Sequence, residues 1–91
     1  GSAGGMPKLH MYYVYYLKSL KNGDIYVGSC QDLTTRVNRH NGGRVKSTKG
    51  YRPWLLLGSE EYNSRSAAIK REQFLKTGQQ KELLKKRFEK E

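Results

Sequence analysis

Five side chains in this sequence combine into one kind of chemistry. Glu72 is a carboxylate set among apolar helix positions. With Ser66 to Thr77 read as a helix and Ala68 at zero, Leu75 falls at about −20°, Glu72 at about +40° and Ile69 at about +100°. A carboxylate on that side is costly unless a hydrogen-bond network, a cation or a metal ion compensates it, so Glu72 requires a partner. On an earlier helix, with Leu33 at zero, Val37 falls at about +40°, His40 at about −20° and Arg36 at about −60°. Arg36 and His40 thus border the buried stripe as neighbours one turn apart. Taken singly, each has a structural alternative: an arginine stem covering apolar surface, or a histidine satisfied by a backbone carbonyl. Together with Glu72 and two tyrosines on one hairpin face, Tyr15 and Tyr26, they suit metal-assisted cleavage of a phosphodiester. A carboxylate can hold Mg²⁺ or Mn²⁺ beside the phosphate, and the metal polarises the phosphoryl oxygen. An arginine meets the developing charge, and a tyrosine or histidine takes a proton from the attacking water.

The elements that must position these groups are legible along the chain. Met11 to Leu17 (MYYVYYL) and Ile25 to Gly28 (IYVG) flank Lys21-Asn22-Gly23-Asp24, a β-hairpin signal. With Asn22 and Gly23 as a two-residue turn, Tyr26 is expected opposite Ser19 and on the same face as Tyr15. The implied offset between the two tyrosines is about 13 Å at roughly 3.3 Å per residue, which twist, a bulge or side-chain reach must close. Asp32 caps a helix from Leu33 to about His40, and Asn41-Gly42-Gly43 stops it. Gly43 to Arg52 reads as an exposed basic loop closed by Pro53, and Trp54 to Tyr62 as a third strand. Ser64 or Ser66 caps the second helix, which reaches Lys76, with Gly78 just past its end. Gln79 to Lys90 forms a third helix, with Leu83, Leu84 and Phe88 inward and Lys81, Lys85, Lys86 and Lys90 in water. The order β-β-α-β-α-α predicts an α+β fold, a small three-stranded, mainly antiparallel sheet flanked by helices.

A chain of 91 residues with 35% hydrophobic content supports one small domain. Residues 1–5 (GSAGG) read as a tag remnant and residues 6–91 as the domain. Eighteen Lys and Arg against eight Asp and Glu give a net charge of +10, a field that concentrates polyanions, with nucleic acid as the leading partner class. Arg39, Arg44, Lys46, Lys49, Arg52, Lys70 and Lys76 are the candidate phosphate-tracking surface, an ordinary solvated face being the alternative. No apolar run is long enough to span a bilayer and no signal peptide is evident, so a cytoplasmic location away from membranes is expected. Cys30, His10 and His40 are too few and too scattered for a structural zinc site, and Cys30 reads as a small hydrophobe.

The motifs and their order resemble the GIY-YIG endonuclease family. Tyr13-Val14-Tyr15 stands at its first tripeptide and Tyr26-Val27-Gly28 at its second. The helix with Arg36 and His40 follows, then His40-Asn41-Gly42-Gly43, Arg52-Pro53-Trp54 and Ala68-Ile69-Lys70-Arg71-Glu72. The likeness covers Met11 to about Arg87 and is nearest to small standalone bacterial members. It implies a hydrolytic nuclease with one divalent metal held by Glu72. By the same likeness Tyr26 acts as general base or water-orienting group, Arg36 contacts the scissile phosphate, Tyr15 shapes the site and His40 assists Tyr26 or the phosphate. There are departures: Tyr13 replaces the first glycine, and Ser29 stands where some relatives carry a lysine. The late asparagine of other members has no clear match, with Gln79 or Gln80 the nearest candidates.

The expected function is therefore metal-dependent hydrolysis of DNA, one strand per site, with specificity supplied by a homodimer, a partner protein or DNA shape. The alternative is a non-catalytic basic module that binds nucleic acid through charge and stacking tyrosines. A protein-docking role has the least support, since no contiguous apolar patch is evident.

Overall fold

The computed structural model describes residues 11–88. The residues read as a tag remnant, the start at Met6, His10 and the end of the third helix including Lys90 lie outside them. The described chain runs β1 (Tyr12–Ser19), β2 (Ile25–Cys30), α1 (Leu33–Asn41), a 3-10 turn (Lys49–Tyr51), β3 (Trp54–Tyr62), α2 (Arg65–Leu75) and α3 (Gly78–Arg87). The sheet order is β2-β1-β3 with both pairings antiparallel, so the fold is α+β in the expected order. No helix among the described residues is long and apolar enough to cross a membrane.

The hairpin register differs from the expectation. Tyr26 pairs with Leu17 rather than Ser19. The cause is Ser19, whose buried Oγ accepts hydrogen bonds from the backbone N–H of Lys21 (3.1 Å) and Asn22 (3.2 Å) and donates one to the Tyr51 carbonyl (2.7 Å). Leu20 to Gly23 therefore form a four-residue loop closed by Gly23 N–H to Ser19 O, and Gly23 supplies the left-handed backbone at φ 79°. The slip is two residues, which preserves the alternation of faces. Tyr15 and Tyr26 remain on one side, and the offset between them is halved to two residues.

Two apolar clusters lie on opposite sides of the sheet. Val14, Tyr16, Ile25 and Val27 pack against Ala68 and Leu75 of α2 and Leu84 of α3. Tyr15, Leu17 and Trp54 pack with Tyr26 and Cys30 against Leu33 and Val37 of α1. On the first side Glu60 of β3 gathers the hydroxyls of Tyr16 (2.8 Å) and Tyr62 and the Arg71 guanidinium (2.9 Å), which ties β3 to α2. Burial and the bond to Glu60 push the Tyr16 phenol up to about 12.

The helix ends follow their capping residues. Asp32 accepts from Thr35 N–H at the start of α1, and Ser64, not Ser66, accepts from Ala67 N–H at the start of α2. Gly78 is not a stop just beyond α2; it opens α3, with Thr77 at the cap position. Leu83, expected inward, is 52% exposed, because adjacent helix positions diverge by about 100° and Leu84 takes the core.

Candidate active site

The tyrosines are placed by the hairpin. Tyr15, on the central strand, is fully buried, and its hydroxyl lies 2.9 Å from His40 Nε2. Its ring rises over Gly28, where a Cβ would stand only 2.5 Å from the hydroxyl, so only glycine leaves Tyr15 its place. Tyr26, half-buried on β2, has its ring centroid 6.3 Å from Tyr15, 4.9 Å from His40 and 6.1 Å from Trp54. Burial, then the neighbouring Tyr26, pushes the Tyr15 phenol well above its ordinary value despite the Arg36 guanidinium nearby, so Tyr15 stays protonated.

His40 is 1% exposed, and both ring nitrogens are engaged. Nδ1 lies 2.8 Å from Thr48 Oγ1, which is itself 3.3 Å from the Val45 carbonyl. A carbonyl can only accept, so the Thr48 hydroxyl donates to it and receives the His40 Nδ1–H. That leaves Nε2 as acceptor for the Tyr15 O–H. Burial, reinforced by Arg36, lowers the His40 pKa and keeps the ring neutral. The loop of Arg44 to Arg52 is thus anchored from within: Thr48 is buried, and Trp54 Nε1 donates to its carbonyl at 2.9 Å. Asn41 brackets the Trp54 backbone, accepting from its N–H at 2.6 Å and donating to its carbonyl at 3.0 Å.

Glu72 arrives from the other side of the sheet on α2 and meets the tyrosine side around the edge of β2. Ser29 of β2 donates to Glu72 Oε1 at 2.6 Å, and Lys76 Nζ lies 2.7 Å from Oε2. Burial would raise the Glu72 carboxyl; the bonds from Lys76 and Ser29, with Arg36 nearby, overcome this and hold it below its ordinary value. The same Lys76 ammonium stands 6.0 Å from the Tyr26 ring centroid, linking the two sides. Arg36 lies within electrostatic reach of Tyr15, Cys30, His40 and Glu72. Burial pushes the Cys30 thiol up, consistent with packing rather than nucleophilic duty.

Tyr15, Tyr26 and His40 therefore cluster on one side of the sheet, and Glu72 approaches them around the edge of β2, with Arg36 and Lys76 between. The candidate phosphate-contacting residues are more dispersed. Arg39, Arg44, Lys46, Lys49 and Arg52 are exposed on α1 and the loop that follows it, and Arg52 also caps the Lys49 carbonyl (2.8 Å) and covers Gly43. Lys76 sits at the site itself. Lys70 does not join it, lying about 160° around α2 from Glu72. Gln80 lines a separate hollow with Tyr16, Glu60 and Arg71. Sequence reasoning missed Thr48, which lies in a loop without periodicity, and read Ser29 only as a lost lysine rather than as the donor to Glu72.

Among the described residues no three His, Cys, Asp or Glu converge as an all-protein metal cage. A lone carboxylate beside a hydroxyl, open to water and to a phosphate, suits an ion of the Mg²⁺ type, which keeps several waters and binds through one or two carboxylates.

A three-stranded antiparallel sheet carrying paired tyrosines, with a guanidinium and a carboxylate meeting at its edge, defines a small catalytic-domain class. The profile of the GIY-YIG catalytic domain matches residues 11–87, and the chain belongs to that family of nucleases. It is 37% identical over 75 residues to a UPF0213 protein of Staphylococcus saprophyticus, covering 81% of this chain and 90% of the relative. A UPF0213 protein of Staphylococcus epidermidis is 39% identical over the same shares. One from Staphylococcus aureus is 40% identical over 67 residues, 72% of this chain and 80% of the relative. No solved structure matches the chain.

Proposed function

We propose that this protein is a divalent-metal-dependent endonuclease that hydrolyses phosphodiester bonds in DNA, one strand per site. The observation that carries the reading is the Glu72 carboxylate, held by Ser29 at the edge of β2 with Arg36 and Tyr26 beside it.

In this reading Glu72 holds a Mg²⁺ or Mn²⁺ ion, which would supply polarisation of the phosphoryl oxygen and charge neutralisation at the leaving oxygen. Arg36 contacts the scissile phosphate through its paired N–H groups. The Tyr26 hydroxyl accepts a hydrogen bond from the attacking water and either takes its proton or aligns it. Tyr15 commits its O–H to His40, so its oxygen faces Arg36 as an acceptor and steadies the guanidinium. His40 acts through Tyr15 as a positioning residue, since its nitrogens are occupied and its ring is sealed from water. The exposed cations of α1 and its following loop track the backbone on either side.

The test is nicking of supercoiled plasmid in Mg²⁺ or Mn²⁺ against EDTA, with Glu72→Ala and Tyr26→Phe alongside. Metal-dependent nicking lost in both variants is expected. Undiminished nicking by Glu72→Ala would sink the proposal, and salt-sensitive DNA binding without cleavage on plasmid or branched substrates would favour a binding module.

A further inference from the structure

Next to Ser29, the donor to Glu72, lies a hollow of about 290 Å³ whose far wall, at Arg65, the cleavage reading leaves without a role. Its walls come from Ser29, Cys30 and Gln31 at the end of β2, Arg36 of α1, and Arg65 at the start of α2, with Tyr12 between them. Among the described residues no carboxylate lines it. Two guanidiniums face a space whose other polar groups are neutral, which selects an anion.

Arg65 is the cation of this hollow that the cleavage reading leaves unassigned. It forms no ion pair or hydrogen bond among the described residues, whereas Arg71 on the same helix is tied to Glu60. Arg65 and Glu72 are seven residues apart, so they lie within about 20° on one stripe of α2 and about 10 Å apart along its axis. Arg36 spans the interval, lining the hollow while lying close enough to Glu72 to influence its carboxyl. At an axial rise of roughly 3.4 Å per nucleotide, 10 Å corresponds to at most about three nucleotides of a duplex strand.

We propose that the hollow between Arg36 and Arg65 is a second phosphate subsite, which seats a flanking phosphate of the strand being cut, within about three nucleotides of the scissile one, with Arg65 as its ligand. The inference rests on the nuclease reading for its position relative to the cut, but the subsite itself is an anion site that binding alone reveals. Arg65 is exposed, and its replacement is expected to leave the fold intact.

The deciding measurement is the affinity for a fluorescent DNA duplex in EDTA, as a function of KCl, for the parent, Arg65→Ala, Arg65→Lys and Arg87→Ala. The last removes an equal charge from α3. Losing one phosphate contact lowers the slope of log K against log[KCl] by about 0.9. That drop is expected for Arg65→Ala, with Arg87→Ala unchanged and Arg65→Lys keeping the slope at weaker affinity. In metal-dependent nicking Arg65→Ala should raise KM on the order of tenfold with kcat retained. A slope for Arg65→Ala equal to the parent's overturns the subsite. A parent protein that never nicks overturns the nuclease reading, while the slopes still decide the fate of Arg65.

Discussion

At the scale of single residues, the polar chain from Tyr15 through His40 and Thr48 to the Val45 carbonyl has a measurable signature. Because burial and Arg36 lower the folded-state pKa of His40, the unfolded chain binds more protons than the folded one once the pH drops below the unfolded value of about 6.5. Stability is therefore full above that value and falls as the pH descends toward the folded pKa. This window precedes the one in which Glu60 and Glu72, both held below 4.5, become protonated. Urea midpoints followed from about pH 7.5 to 5.5 should decline for the parent and decline less for His40→Gln; parallel curves would contradict the buried neutral imidazole. Of these residues His40 was legible from its place beside Val37 and Leu33 on a helical wheel. Thr48 was not, because its neighbours Lys46, Ser47 and Lys49 read as solvent-facing loop. Ser29 and Arg65 escaped for a related reason: each has meaning only through an element remote in sequence.

At the scale of elements, β2 is the most constrained segment. Gly28 lets the Tyr15 hydroxyl lie against the backbone of the neighbouring strand, so Gly28→Ala forces a fully buried, hydrogen-bonded ring to move. Overpacking of this kind costs about 1–3 kcal/mol, and the displaced ring should also abolish nicking. Gly50→Ala, with nothing within 4 Å of the added carbon, is the control and should stay within about 0.5 kcal/mol of the parent. Chemical denaturation of both checks the claim. Strand and helix identities were readable from the aromatic runs, the Asn-Gly signal and the caps. The register was not, because Ser19 competes for the turn amides, a choice that depends on Tyr51 thirty-two residues away. The face assignment survived because a slip of two preserves parity.

At the scale of the whole molecule, a net charge of +10 on 91 residues acts before any contact forms. The exposed cations around α1 and its following loop supply a share of that field next to the site. Replacing Arg44, Lys46 and Lys49 together by alanine should flatten the salt dependence of duplex binding by up to about 2.7, at 0.9 per phosphate, and leave kcat near that of the parent. An unchanged slope would return those residues to the solvated face. Sequence alone could weigh such charges but not locate them, nor foresee that Glu72 and Tyr26 approach from opposite sheet faces and meet around one strand. The ion pair at that meeting point has its own consequence. Lys76 is tethered one helical turn from Glu72, so it competes at the high effective concentration of a linked group for the oxygen a metal ion would take. On the proposed function, a divalent ion that binds Glu72 must first displace this ammonium. A DNA backbone offers the ammonium another phosphate to hold. On that reading polymer and ion would favour each other's entry.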